Sequence, residues 1–165
     1  MLAYPAIESN GRREVIPAAH FYNRESGGLN RSDPFEYSHR YTAGWEGDRL
    51  YPYVTDRSAD TNETGYVWKI AFETPGDASE FATGYRELLE VRGGNAIDGR
   101  EGVWRIPEGP FADAFRVTLE DDTVVIVNGP TVEELNLIRP RDGSGDELPA
   151  PDSGDDEGVT FSRAG

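Results

Sequence analysis

The sequence predicts an α+β domain, with a mostly antiparallel sheet of about five strands and two helices packed on one face. Two observations predict this class. Runs rich in aromatic and β-branched residues lie on both sides of an amphipathic stripe over about residues 75–92, and two of these runs flank a short acidic turn. A sheet with helices on one face is the simplest way to bury elements in this order. At 165 residues, the chain is long enough for one domain with a substantial core.

The first two strands are expected over residues 49–54 and 65–72. Pro52 has no amide hydrogen to donate to a neighbour, so the first strand is predicted to be an edge strand or to contain a bulge. In the second strand, apolar side chains alternate onto one face, as they do in a half-buried strand. These side chains are Tyr66, Trp68, Ile70 and Phe72.

The main helix is expected over about residues 75–92. Thr74 is a suitable N-cap residue, and Pro75 suits the first helical position. Apolar side chains follow at helical spacing, and Gly93 and Gly94 end the helix. The apolar stripe consists of Ala78, Phe81, Ala82, Tyr85, Leu88 and Leu89.

Three more strands are expected over residues 102–106, 114–119 and 123–127, followed by a short helix over about residues 131–138. The last two strands flank the acidic turn at 120–122, which predicts a hairpin. Residues 124–127 are all apolar, which favours a central strand covered on both faces. Thr131 and Glu134 have the spacing of a capping box at the start of the short helix.

The chain divides into three regions by composition. Residues 1–40 are polar and irregular with scattered aromatics, so we expect an extended arm that lays its aromatic side chains on the domain surface. Residues 41–140 form the single α+β domain. Residues 141–165 are expected to be a disordered acidic tail, because residues 142–157 contain seven acids, no base and little that could be buried.

The charge balance is strongly acidic, with 31 acidic and 16 basic residues and a net charge of −15. Lys69 is the one lysine among the basic residues. This composition is typical of halophilic proteins, whose carboxylates hold water and cations and keep molecules apart in molar salt. The alternative is an ordinary acidic protein. The charge argues against binding to nucleic acid and to an anionic membrane surface, since both require clustered Lys and Arg.

Several site classes have no support in the sequence. The chain has no cysteine, which excludes disulfides, thiolate nucleophiles and cysteine-based metal sites. No glycine pattern matches a P-loop or a dinucleotide fingerprint, so we expect no cofactor. No apolar stretch has the length of a membrane span. Residues 1–5 lack the basic region and apolar core of a signal peptide, so we expect no export of the chain as written.

Asp48 is the first of two weak candidates for a catalytic carboxylate. It lies with Glu46 close to Trp45, and burial beside an aromatic ring could raise a carboxyl pKa for acid–base work. The structural alternative is a tight glycine turn in which Asp48 pairs with an arginine and Trp45 packs on the sheet. Beyond the two weak candidates, the sequence assigns no catalytic residue, and it predicts no metal site.

Asp113 is the second weak candidate, because it stands between Phe111 and Phe115 at the start of a strand. The structural alternative is a turn carboxylate paired with an arginine. Arg49, Arg105 and Arg116 are the possible partners. The acids at 120–122 could hold calcium weakly, but no segment has the ligand spacing of an EF-hand loop, so a solvated hairpin tip is the favoured interpretation.

The remaining candidates belong to predicted loops. Asn30 and Asn62 each begin an Asn-x-Ser/Thr triplet and are candidates for glycosylation if the protein reaches the cell surface. His20 and His39 lie in the arm, outside any metallopeptidase or nucleophile motif, and are expected to be surface or capping residues.

An ordered set of short segments resembles the C-terminal region of a haloarchaeal surface protein family. The resemblance covers roughly residues 37–139, and its most specific part is the Gly-Trp-x-Gly-Asp-Arg run ahead of the tryptophan-containing strand. The segments are YTAGWEGDRLY (41–51), TGYVWK (64–69), DASEFATGYRELL (77–89), ADAFRV (112–117) and VIVNGPT (125–131). Longer members of that family resemble secreted or lipid-anchored proteins with an N-terminal part similar to zincin-type metallopeptidases.

The resemblance implies a cell-surface or extracellular setting in high salt, beside a peptidase-like domain or an envelope protein. It implies no catalytic residue in this chain. The chain lacks a lipobox and an apolar anchor, so a truncated or partial chain is expected. The favoured function is therefore a non-catalytic accessory or interaction domain of a halophilic surface protein. The alternatives are a hydrolase-like enzyme using Asp48 and Asp113, and a stand-alone acidic cytoplasmic protein.

Overall fold

The computed structural model describes residues 15–25, 28–36, 39–55, 64–141 and 162–164. Within these residues, seven strands form one sheet in which every pairing is antiparallel, in the order β5-β6-β7-β8-β4-β3-β9. β1 and β2 form a separate two-stranded ladder. The strands are β1 (Arg24–Glu25), β2 (Gly28–Leu29), β3 (Trp45–Val54), β4 (Thr64–Phe72), β5 (Asn95–Ala96), β6 (Val103–Arg105), β7 (Ala114–Glu120), β8 (Thr123–Gly129) and β9 (Ser162–Arg163). The helices are α1 (Pro75–Val91) and α2 (Leu135–Ile138), with a 3₁₀ helix at Ala18–Phe21.

The α+β class and the mostly antiparallel sheet are confirmed. Among the described residues the sheet has seven strands rather than about five, because two-residue strands, β5 and β9, extend its edges. Strands this short contain no alternation that a sequence could reveal. The five predicted strands all form, with β7 and β8 joined as a hairpin.

Strand β8 lies fourth of the seven, and both of its faces are buried. Val124 and Ile126 pack in one hydrophobic cluster with the apolar stripe of α1. Val125 and Val127 pack in a second cluster with α2. The predicted central strand with two covered faces is confirmed.

The two helices therefore lie on opposite faces of the sheet, which corrects the expectation that both lie on one face. The physical reason is the uninterrupted apolar run of β8, which presents apolar side chains to both faces and needs cover on each. Helix α2 is also shorter than the predicted 131–138. The Thr131 hydroxyl accepts a hydrogen bond from the Glu134 amide at 3.3 Å and donates one to the Glu134 carboxylate at 2.8 Å, but the helix begins only at Leu135.

Helix α1 begins and ends close to the predicted residues. The Thr74 hydroxyl accepts a hydrogen bond from the Asp77 amide at 3.2 Å, which satisfies one of the free amides of the first turn. Pro75 occupies the first helical position. After Val91 the chain reaches Gly93, whose φ of +85° few other residues adopt, and the helix stops there.

Strand β3 lies near one edge of the sheet, as Pro52 predicts, and it contains a bulge, although the register is regular at Pro52 itself. Its register with β4 shifts between Trp45 and Gly47, which marks a bulge. Its other neighbour, β9, pairs with Tyr53 and Val54, and the Ala164 amide after β9 donates to the Pro52 carbonyl at 3.0 Å. Over most of its length β3 is thus the outer strand of the described sheet.

The arm and the tail are described in part. Ile16 is buried and Val15 packs against the α1 cluster, so this end of the arm is docked on the domain. Tyr22 and Phe35 form an isolated bridge, with their ring centroids 6.3 Å apart. Residues 142–161, expected to be disordered, lie outside the described residues. Ser162–Arg163 belong to β9, so the expectation of disorder does not hold for them.

Candidate functional site

Asp48 is a partner of Trp68. Its Oδ2 atom accepts a hydrogen bond of 2.7 Å from the indole Nε1 of Trp68. The β3–β4 register pairs Asp48 with Ile70, which makes Trp68 its diagonal neighbour on the same face. The structural alternative for Asp48 anticipated an arginine partner and a packed Trp45, but the partner is an indole, and Trp45 is 56% exposed.

Asp113 lies just before β7 and is half-buried. Its Oδ2 atom accepts a hydrogen bond of 3.2 Å from the Asn128 amide group. Burial raises the pKa of the Asp113 carboxyl, while the Asn128 hydrogen bond and the positive charge of Arg105 oppose the rise. Of the three arginines considered as partners, Arg105 is therefore the one whose charge acts on Asp113.

Two tyrosines extend the polar cluster around Asp113. The hydroxyl groups of Tyr66 and Tyr85 are 3.4 Å apart, and burial raises the pKa of each. The negative charge of Asp113 raises the pKa of Tyr66 further. Sequence reasoning assigned both tyrosines to the apolar core and missed this cluster. The available signal was chemical, because a buried tyrosine hydroxyl needs a hydrogen-bond partner.

Asp48 and Asp113 do not share one site. Asp48 is level with Ile70 in β4, with Val124 in β8 and, through the β7–β8 pairing, with Leu119. Asp113 precedes Leu119 by six residues along the chain. At about 3.3 Å per residue, this places the two carboxylates roughly 20 Å apart along the strands. Three further strand spacings separate them across the sheet, so one substrate group cannot contact both.

The candidates in the arm make local contacts. The rings of His20 and His39 lie 6.0 Å apart, and burial, followed by the charges of His20 and Arg40, lowers the pKa of His39. The side-chain Oδ1 atom of Asn30 accepts hydrogen bonds from the Ser32 and Asp33 backbone amides at 2.9 and 3.1 Å. Asn62 lies outside the described residues. Among the residues that the structure describes, no group of three or more His, Cys, Asp or Glu side chains could hold a metal ion.

The sequence named Arg116 only as a possible partner of Asp113, and it did not reveal that this arginine is buried on the α2 face of the sheet. Its side chain extends from β7, and the residue is only 4% exposed. The guanidinium donates to the Asn136 side-chain oxygen at 2.6 Å and to the backbone carbonyl of Arg139. The signal in the sequence was an arginine inside an apolar strand. This signal does not identify the partners of Arg116, because they lie in and just after α2, whose packing the sequence does not reveal.

The whole domain matches one protein family model. A domain of unknown function, DUF8575, matches residues 1–139. The chain belongs to this family. The DUF8575 match includes the arm, both carboxylate candidates and Arg116, and it ends at Arg139.

No curated protein and no solved structure matches the chain. In the part of the DUF8575 chain that the structure describes, no helix is long and apolar enough to cross a membrane.

Proposed function

We propose that this chain is a non-catalytic accessory or interaction domain of a halophilic cell-surface protein. It contacts a peptidase-like domain or an envelope protein beside it. The observation that carries this proposal is the exposed outer side of β3. The halophilic and surface parts of the proposal rest on the acidic composition and on the resemblance to haloarchaeal surface proteins.

Strand β3 has the properties of a contact surface. Trp45 is 56% exposed and Leu50 is 37% exposed. Within the described residues, the outer segment Ser162–Ala164 contacts the backbone of β3 only from Pro52 to Val54. An unpaired strand edge offers backbone hydrogen bonds to another chain. A large exposed indole beside such an edge is typical of residues that contribute strongly to protein–protein contacts.

The first experiment is to measure the intact mass of the native protein in the envelope and cytosolic fractions of its source cells. We expect these peptides in a much heavier envelope species. A species near 18.2 kDa found only in the cytosol and without glycan would contradict the proposal and support a stand-alone acidic protein.

The second experiment tests the contact surface itself. Hydroxyl-radical footprinting compares side-chain oxidation in the native envelope species and in the purified chain. We expect Trp45 to be protected several-fold in the envelope species. Tyr22 is the control, because it is similarly exposed, at 45%, but lies in the arm. Equal oxidation of Trp45 in both samples would rule out β3 as the contact.

An acid–base enzyme is the second candidate function, and Asp113 favours it. A half-buried carboxyl with a raised pKa beside Tyr66 is suited to proton transfer. This function predicts that Asp113→Asn abolishes a hydrolase activity of the purified chain without lowering its stability. Asp48→Asn is the matched control, because Asp48 lies far away and pairs with Trp68. If no activity is lost, Asp113 is a structural carboxylate.

A further inference from the structure

Among the residues that the structure describes, no carboxylate is a hydrogen-bond partner of Arg116. The two acceptors within the described residues, the Asn136 side chain and the Arg139 carbonyl, are neutral oxygens. The neighbouring Arg139 has a carboxylate partner, Glu120, at 3.4 Å. Burying a charge without a counter-charge is unfavourable, so an anion beside Arg116 would stabilise the folded domain.

A cavity opens next to this guanidinium. It is open to solvent on one side and has a volume of about 250 Å³, enough for a small organic molecule and not for a folded partner. Guanidinium groups line one part of it and aliphatic side chains line another. The cationic residues are Arg100, Arg116 and Arg141, and the aliphatic ones are Val103, Val132 and Leu135.

Within the described part of the chain, one carboxylate and one backbone carbonyl contact the other two arginines of this cavity. Arg100 pairs with Glu133 at 3.5 Å, and the two side chains are 45% and 75% exposed, so solvent screens this pair and it is weak. The Arg141 guanidinium donates to the backbone carbonyl of Glu101 at 3.1 Å. Burial, with the charges of Arg141 and Arg139, lowers the pKa of Arg116 to about 10. The arginines thus repel one another, and an anion between them would relieve the repulsion.

We propose that this cavity binds a short aliphatic carboxylate, with its carboxylate on Arg116 and Arg141 and its carbon chain on Val103, Val132 and Leu135. The planar fork of a guanidinium matches the two oxygens of a carboxylate. The aliphatic wall selects against small hydrated anions such as chloride. The same chemistry is offered by a free carboxylic acid and by a carboxylate side chain of a polypeptide. This site lies on the face opposite α1 and is independent of the β3 surface.

Sodium butyrate is the probe, titrated into the ¹⁵N-labelled full chain at constant ionic strength. We expect saturable shifts in the amide resonances of Val103 and Asn136 and in the Arg116 side-chain N–H resonance. Butyramide, which has the same shape and no charge, should produce no saturable shift. Arg141→Gln should weaken butyrate binding about tenfold or more, because it removes a charge-assisted hydrogen bond. Arg49→Gln is the matched control, because Arg49 is exposed and outside the cavity lining.

A variant of this chain distinguishes the two possible sources of the carboxylate. In it, the seven acids of residues 142–157 are replaced by Asn and Gln. Butyrate binding of equal strength in both proteins indicates a ligand from outside the chain. Tighter binding after the replacement indicates that carboxylates of the chain itself compete for the cavity. The proposal is wrong if neither protein binds butyrate saturably, or if Arg141→Gln and Arg49→Gln bind it equally well.

Discussion

At the scale of single residues, Asp48 holds the indole of Trp68 at the edge of the main core. Trp68 is buried, its ring lies 5.9 Å from the ring of Phe81, and its one polar atom donates to Asp48. The hydrogen bond therefore fixes the orientation of a large core side chain from a strand on the sheet margin. This role needs an acceptor at position 48, but it does not need a proton-transfer group.

We expect Asp48→Ala to lower the free energy of unfolding by about 1–2 kcal/mol, because the Trp68 N–H loses its hydrogen-bond acceptor. Asp48→Asn should have a smaller effect, since its side-chain carbonyl can still accept. Urea unfolding in molar salt, followed by tryptophan fluorescence, measures both. Glu46→Ala is the control, because Glu46 is an exposed neighbour on the same strand. Equal effects of the two alanine variants would contradict a structural role for the Trp68 hydrogen bond.

Asp113 provides a pH-dependent prediction. Because its pKa is raised in the folded state, the folded protein keeps this proton over a pH window in which the unfolded chain has lost it. The stability of the fold therefore falls as the pH rises through that window and is constant above it. Asp113→Asn removes the ionisation while keeping an acceptor for Asn128.

We accordingly expect the free energy of unfolding of Asp113→Asn, relative to that of wild type, to be higher at pH 7 than at pH 4. Unfolding free energies of both proteins at the two pH values measure this difference. Asp122→Asn, at the exposed hairpin tip, corrects for the general effect of removing one negative charge. If the two variants respond identically to pH, the Asp113 carboxyl is not perturbed by burial.

At the scale of elements, α1 is held from outside the sheet by the residues that precede β3. The buried ring of Tyr41 lies against Gly84, and its hydroxyl donates to the Glu87 carboxylate at 3.0 Å. A Cβ atom at position 84 would lie 2.5 Å from the Tyr41 ring. The absence of a side chain in the middle of the helix is what allows this contact.

Gly84→Ala should therefore destabilise the domain by about 1–2 kcal/mol, although alanine is the better helix former by about 1 kcal/mol. Gly76→Ala is the matched control in the same helix, because the nearest atom to its added Cβ would be the Thr74 hydroxyl at 3.5 Å. That variant should be neutral or slightly stabilising. Thermal unfolding measures both, and a stabilising Gly84→Ala would show that Tyr41 is not packed against α1.

The predictable elements are those with a period or a chemical start and stop signal. Thr74, Pro75 and Gly93 marked the ends of α1, and Pro52 marked an outer strand, because each acts through its own backbone geometry or its own hydrogen bond. Strands β5 and β9 are too short to have a period. The faces on which the helices pack could not be predicted, because β8 presents apolar side chains to both faces of the sheet and could be covered by a helix on either one.

The candidate sites were less predictable, because they depend on register. Asp48 meets Trp68 only through the β3–β4 pairing, and residues 56–63 between these strands do not specify that pairing by length. Likewise, the sequence shows Arg116 inside an apolar strand. Its neighbours Arg139 and Arg141 follow α2 in the chain, so they lie beside Arg116 only once α2 has packed on the sheet. Sites assembled from separate elements thus need the tertiary structure, even where each residue stands out alone.

At the scale of the whole molecule, the net charge of −15 predicts that stability depends on salt. Like charges on one small domain repel each other, and the repulsion extends over about 10 Å at 0.1 M salt and about 3 Å at 1 M. The thermal midpoint should rise steeply as KCl is added to dilute buffer, as the repulsion is screened. Above about 1 M, any further rise should come from strengthened hydrophobic burial and should be gradual.

The variant with seven neutralised acids in residues 142–157 separates these two contributions. It should show a shallower rise below 1 M KCl, because it has less repulsion to screen, and an unchanged slope above 1 M. Circular dichroism melts of both proteins from 0.05 to about 3 M KCl measure this, and 1 kcal/mol corresponds to about 2–4 °C for a chain of this size. A wild-type midpoint that is the same in dilute buffer and in molar salt would show that the acidic surface is not an adaptation to salt. The halophilic part of the proposed function would then lose its physical basis, while the contact surface of β3 would remain to be explained.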